Sequence, residues 1–345
     1  MFPYWGIYIL PALMAATHRR PAVSLWIVLG AVYALLIGLR YQVGGDWSSY
    51  QLHLLRVGGL PLHQVLISSD PGYYALTWLS SRIGAGIWFV NLVCGLIFTT
   101  GLVAFVRRLP EPMLAFAVAM PYMLVVVAMG YTRQATALGF LLFGLAWLIE
   151  RRLLAFALAL AVGATFHKSA VVLLPLAILA DQRTRFLTVL WVGIATTVLY
   201  LLFLAEQVDS FWQNYVLSDY SQASDGGPIR IAMNVLPAVL FLLWRRRFVM
   251  TGEARALWTW VALFSLACLP LVFQAPTAVD RIALYFMPLQ LVLFSHLPSL
   301  VVPAQRAYVR GAILAYYAAV LFVWLNFAGH RQAWLPYQFW PLAAG

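Results

Sequence analysis

Four places along the chain combine residue types that could do chemistry. At residues 40–50, RYQVGGDWSSY, an arginine, two glycines, an aspartate and flanking aromatics follow an uncharged apolar run at 25–39. Arg40 offers a planar fork that matches phosphate oxygens. Gly44 and Gly45 let the backbone turn tightly, and Asp46 can accept a proton or orient a hydroxyl. A turn needs only the glycines, and an interfacial anchor needs only Trp47 or Tyr50. Neither needs Arg40 and Asp46 held six residues apart. The plainer reading is an arginine–aspartate pair that ties down a loop, with Arg40 lowering the pKa of Asp46.

Arg133 and Gln134 open a second apolar stretch, 132–149, in which Ala135 and Gly139 allow a neighbouring helix to pack closely. This predicts an arginine fixed at the edge of a helix bundle, the alternative being a snorkelling anchor. His167 sits where two short apolar segments, 153–166 and 169–180, meet. An imidazole there can take a proton from a hydroxyl, although a lone histidine near a helix end is more often structural. Arg281 lies beside Asp280, which could simply pair with it, and Arg230 is a further basic candidate. Tyr50 and Tyr73 are the aromatic candidates for contact with a glycan.

The elements that must hold these residues are transmembrane. Of 345 residues, 63% are hydrophobic and 10% charged, a composition no soluble domain has. A helix crosses a bilayer with roughly 20 apolar residues, fewer when it is partly buried in protein. The apolar runs then predict an all-α polytopic protein with twelve transmembrane helices. They fall near 2–17, 22–39, 86–106, 112–130, 132–149, 153–166, 169–180, 186–204, 230–244, 256–273, 282–296 and 308–327. Residues 1–345 form a single transmembrane domain. Segments 40–85 and 205–229 are left on one face, the first carrying surface-lying amphipathic helices and the second mixing Asp209, Asp219 and Asp225 with aromatics. The first 16 residues have no basic n-region, so they read as a span and not a signal peptide.

Fourteen of the 22 basic residues, including Arg107, Arg108, Arg151, Arg152 and Arg245, fall in alternate loops, which the positive-inside bias places in the cytoplasm. Both termini are then outside. The remaining eight, Arg40, Arg56, Arg82, Arg133, Lys168, Arg230, Arg281 and Arg331, all fall on the outer side. Near the membrane plane they outnumber the acids, an excess that a doubly charged diphosphate would fill. Because the positive charge is scattered between apolar runs, nucleic acid is not an expected partner. Cys94 and Cys268 lie within apolar stretches without disulfide or metal spacing, so neither a metal nor a cofactor is expected. Nucleotide-sugar and ATP chemistry are disfavoured by the absence of Asp-x-Asp and Walker-type motifs.

The pattern Arg40-x-x-x-Gly44-x-Asp46-x-x-x-Tyr50 after an early transmembrane run resembles the EpsG family of exopolysaccharide proteins, kin to the Wzy-type polysaccharide polymerases. Asp70-Pro-Gly-Tyr73, Arg133-Gln134, His167-Lys-Ser169, Arg281 and Trp334-Leu-Pro-Tyr337 follow in the same order. Gly44-Gly45-Asp46 departs from the family's frequent Gly-Thr-Asp and makes the loop more flexible. The resemblance implies a fold similar to the lipid-dependent, GT-C-like glycosyltransferases. It also implies a polymerase in the bacterial inner membrane that joins polyprenyl-diphosphate-linked oligosaccharide repeats at its outer face. Arg40, Arg133, Arg281 and Arg230 would hold diphosphate while Asp46 or His167 activates the acceptor. Membrane lipid and a chain-length regulator and flippase of the same pathway are the implied partners. A flippase for the same lipid-linked glycan, and an outer-face ligase or acyltransferase, are the rival readings.

Overall fold

The computed structural model describes residues 1–17, 21–174, 227–273 and 276–343, with single positions at 176, 190, 193, 194 and 197. The chain is a helical, multi-pass membrane protein. Helices α1 (Phe2–Ala16) and α2 (Val23–Gly38) are followed by three that lie in the expected surface segment: α3 (Trp47–Gly58), α4 (Leu62–Leu66) and α5 (Pro71–Arg82). Then come α6 (Gly86–Val106), α7 (Pro112–Ala119), a π-helical continuation (Met120–Ala128), α8 (Thr132–Ile149) and α9 (Leu153–Phe166). Beyond residue 226 lie α10 (Gly227–Trp244), α11 (Gly252–Leu271), α12 (Pro276–Ala283), α13 (Pro288–His296), α14 (Arg306–Phe327) and the short α15 (Trp340–Ala343).

Among the described residues, four helices are long and apolar enough to cross a membrane, and a fifth crossing, 276–300, is bent by 41°. Five others, including α1, α2 and α9, are apolar but only 10–17 residues long. At 1.5 Å per residue such helices rise roughly 15–25 Å, so their ends must be covered by protein or met by irregular backbone. Residues 175 and 177–226, apart from 190, 193, 194 and 197, lie outside the described residues, and with them Arg183, Arg185 and most of the segments expected at 186–204 and 205–229.

The centre of the bundle is the α7 and π-helix segment, every residue of which from Met113 to Met129 is buried. Pro121 sits at the start of the π turn. Lacking an N–H and clashing with the carbonyl four residues back, proline forces the wider winding there. Helices α6 and α8 cross against this core through glycine. A Cβ placed on Gly139 would stand 2.7 Å from the Phe98 Cα on α6, closer than any real side chain allows. Small residues at the start of α8 therefore do set its packing distance, as their spacing predicts. Gly139→Ala should separate the two helices and cost roughly 1–3 kcal/mol. Thermal unfolding of the detergent-solubilised variant checks this, and an unshifted Tm would refute the contact.

Candidate active site

The loop after α2 is built around Arg40, which is 1% exposed. Its Nε donates to the Val43 carbonyl at 3.0 Å, one terminal nitrogen donates to the Ile37 carbonyl, and the other reaches Thr132 Oγ1 at 2.8 Å. An arginine with all three nitrogens engaged and no contact with solvent organises the loop. It ties the end of α2 to the first turn of α8 and does not face a ligand. The chain's far end closes the same loop. Trp340 N donates to Leu39 O at 2.8 Å, Tyr41 N to Gln338 O at 2.9 Å and Gly44 N to Ala333 O at 2.8 Å, while Arg40 forms an isolated antiparallel bridge with Phe339. Trp334, 2% exposed, donates from its indole to Val125 O in the π-helix at 2.8 Å, which satisfies a carbonyl that ordinary α winding would have paired. Motifs nearly 300 residues apart in sequence thus form one support (Arg40 and Trp334). Gly44 has φ +106°, and a Cβ there would strike the Met129 carbonyl at 2.3 Å, so the turn requires glycine.

On this support Asp46 is delivered at the N-terminus of α3. Its carboxylate is half-buried and is engaged by no hydrogen bond or ion pair among the described residues. Burial raises its pKa, and the positive charges of Arg281 and Arg133 oppose the rise. The expected lowering by Arg40 is wrong in both direction and partner, because Arg40 turns away into the protein.

Arg133, in the first turn of α8, donates to Asp70 Oδ2 at 2.9 Å. Asp70 is 4% exposed, stands just before α5, and takes the Lys168 backbone N–H on its other oxygen at 3.3 Å. The guanidinium lies 6.0 Å from the ring centre of Tyr50 and 5.8 Å from that of Tyr73. Its side chain nevertheless keeps 35% of its surface open. Arg133 is therefore not a bare cation: Asp70 fixes one donor, the Tyr50 hydroxyl also engages the guanidinium, and part of the side chain stays open. Tyr73 is wholly buried and Tyr50 is 5% exposed, so both are the bed beneath Arg133 and present little surface to a glycan.

α9 ends at Phe166, and His167 adopts an extended conformation before a 3₁₀ turn, Lys168–Leu173. The helix breaks where the sequence predicts, whereas the return segment beyond residue 174 lies, but for 176, outside the described residues. The ring Nδ1 is 2.6 Å from Ser169 Oγ, and Ser169 Oγ donates to the Tyr285 hydroxyl at 3.1 Å. With Ser169 donating onward, Nδ1 carries the proton toward Ser169 and Nε2 is left with its lone pair. No hydrogen bond among the described residues engages Nε2. Burial first, then Arg281, Arg133 and Lys168, push the imidazole pKa well below its ordinary value. His167 is thus held neutral.

Arg281 stands on α12, and its carbonyl accepts from the buried Gln134 side chain, which fastens α12 to the first turn of α8. Gln134 is 2% exposed and serves this link. Both oxygens of Asp280 accept from Arg230, at 2.8 and 2.7 Å. That bidentate pair lies 13% and 12% exposed between α10 and α12. The structure therefore gathers Asp46, Arg133, His167 and Arg281 within electrostatic reach of one another, and places Arg40, Gln134, Arg230 and Tyr73 behind them as supports. Ser169 and Tyr285 are the functional candidates that residue types alone did not single out. Tyr285 lies four residues after Arg281, one helical turn on, and that spacing was the available signal. Among the described residues, no group of three or more His, Cys, Asp or Glu side chains could hold a metal ion.

The model of the EpsG family matches residues 23–339. The chain belongs to the EpsG family. No curated protein and no solved structure matches it. The matched span contains every member of the cluster, from Arg40 to Tyr285, together with the Trp334–Tyr337 motif that supports it.

Proposed function

We propose that this EpsG-family protein is a polysaccharide polymerase, a metal-independent glycosyltransferase that joins polyprenyl-diphosphate-linked oligosaccharide repeats at the outer face of the inner membrane. The fold proposed is a twelve-crossing, GT-C-like one, with residues 1–345 as one domain and both termini outside. The observation that carries the reading is the grouping of Arg133 and Arg281 within electrostatic reach of a neutral His167 and of the Asp46 carboxylate, in one half-buried cluster.

In the proposed step the acceptor repeat presents a sugar hydroxyl to His167 Nε2, which takes its proton as the oxygen attacks the anomeric carbon of the growing chain. The bond from that carbon to the lipid diphosphate breaks, and its electron pair leaves with the diphosphate. Arg133 and Arg281 neutralise the charge as it develops, where a preorganised cation in a partly water-excluded site acts most strongly. Asp46 orients the attacking sugar. Membrane lipid surrounds the site, and a flippase and a chain-length regulator of the same pathway would supply and limit the substrate.

Deleting the gene and analysing the lipid-linked pool tests the reading. Loss of the protein should leave single repeat units accessible from outside. Single units trapped on the cytoplasmic side would instead assign a flippase, and long lipid-linked chains would assign a ligase.

A further inference from the structure

A second site lies at the other end of the bundle. Trp26 stands in the first turn of α2, Arg107 follows the end of α6 and Ile149 ends α8, whereas the Asp46–Arg133 cluster occupies the opposite ends of α2 and α8. Since α8 has 18 residues, the two ends are roughly 27 Å apart. Here a cavity of about 520 Å³ opens between α2, α6, α8, α11 and α13. Trp26, Trp258 and Val292 give it an apolar wall, and Arg107 and Arg108 line its basic side. Arg108 is paired with Glu150 at 2.7 Å, whereas no hydrogen bond or ion pair among the described residues engages the Arg107 guanidinium.

The second observation is His296, at the end of α13 and lining the same cavity. It is only 7% exposed. Its Nδ1 lies 2.7 Å from the Val292 carbonyl, an acceptor, so Nδ1 carries the proton. Nε2 is then a hydrogen-bond acceptor, and among the described residues nothing donates to it. His296 lines the cavity, so this acceptor is available to a donor bound there. The cavity therefore combines an uncommitted cation, a histidine acceptor in its lining that a hydroxyl can meet, and an apolar wall. A phosphate alone would satisfy the arginine and leave the histidine unmet. A hydroxylated phosphate headgroup on an apolar body satisfies all three.

We propose that this cavity binds a hydroxyl-bearing phosphate, with Arg107 holding the phosphate, His296 Nε2 accepting from the hydroxyl, and Trp26 and Trp258 covering the apolar part. Such a group is offered by a phosphatidylglycerol-type lipid of the adjoining leaflet, and also by a soluble polyol phosphate. The inference does not depend on the polymerase reading.

Binding of dihexanoyl phosphatidylglycerol, dihexanoyl phosphatidylcholine and glycerol 3-phosphate to the full-length protein in zwitterionic nanodiscs, read by native mass spectrometry, tests it. The wild type should bind the phosphatidylglycerol and not the phosphatidylcholine. Arg107→Gln and His296→Phe should each weaken binding about tenfold, a loss on the order of 1.4 kcal/mol. Arg82→Gln, at the other end of the bundle, should change nothing. Equal binding of glycerol 3-phosphate with the same dependence on both residues supports the site and assigns a soluble source. Undiminished binding by Arg107→Gln, or an equal loss in Arg82→Gln, overturns the proposal as non-specific attraction to a basic surface. Because Arg107 is exposed and unengaged, its substitution leaves folding intact, and an unchanged Tm verifies that.

Discussion

Arg133→Lys lowers polymer formation by roughly 100-fold or more, while leaving the protein inserted and its Tm within a few degrees of wild type. The charge survives this substitution, so the effect must come from geometry. Arg133 gives one terminal nitrogen to Asp70 at 2.9 Å, and the rings of Tyr50 and Tyr73 hold the guanidinium plane. Tyr50 also engages it, and 35% of the side chain stays open to a further anion. A lysine would meet Asp70, whose buried carboxylate requires a cation, and then have no fixed fork left for a second anion. Turnover of purified protein on lipid-linked repeats measures the loss. Near wild-type turnover would reduce Arg133 to a structural partner of Asp70 and remove the diphosphate role from it.

How much of this site could be read from residue order depends on the kind of neighbour each residue has. Helix boundaries at 86–106, 132–149 and 153–166 agree with the apolar runs, because a run between charges states its own length. The break at His167 was legible for the same reason. Arg40 was not. In sequence it is a cation at a helix mouth beside Asp46, and only the returning segment around Phe339 and the carbonyls of Ile37 and Val43 reveal it as an internal brace. Likewise the Arg230–Asp280 pair is made by the packing of α10 against α12, 50 residues apart in the chain. Charge parity counted eight outer cations against their acids, but pairing in space removes Arg40 and Arg230 from the outward face and leaves Arg133 half-committed. The sign of the Asp46 shift failed with it, since sequence proximity to Arg40 says nothing of burial. The short α1, α2 and α9 show the limit of counting apolar residues: their length is set by what covers their ends.

The choice of base between His167 and Asp46 has the sharper experimental signature. His167 has Nδ1 fixed by Ser169 and Tyr285 and Nε2 unoccupied. Burial and the neighbouring cations Arg281, Arg133 and Lys168 keep it unprotonated well below 6.5. Asp46 moves the other way, raised above 3.8 by burial, against the pull of Arg281 and Arg133. His167 is therefore in its basic form at neutral pH, and the rate should fall only on acidification below its ordinary value. The sign follows from the role: protonating the base removes the acceptor for the sugar proton, so turnover rises with pH through the pKa and is flat above it. Because the two shifts converge, the wild-type profile alone cannot name the residue, and the variants must. His167→Ala should lower turnover by roughly 10²–10⁴ with donor binding nearly unchanged, and should lose the acidic limb. Asp46→Asn should weaken both donor binding and turnover, since the carboxylate lies between the two arginines that hold the diphosphate, and should retain the limb. Ser169→Ala, which removes the group that fixes Nδ1, should lower turnover by about tenfold, in the range of an outer hydrogen-bond partner. A limb that survives in His167→Ala and vanishes in Asp46→Asn would exchange the roles, with Asp46 the base and His167 its organiser.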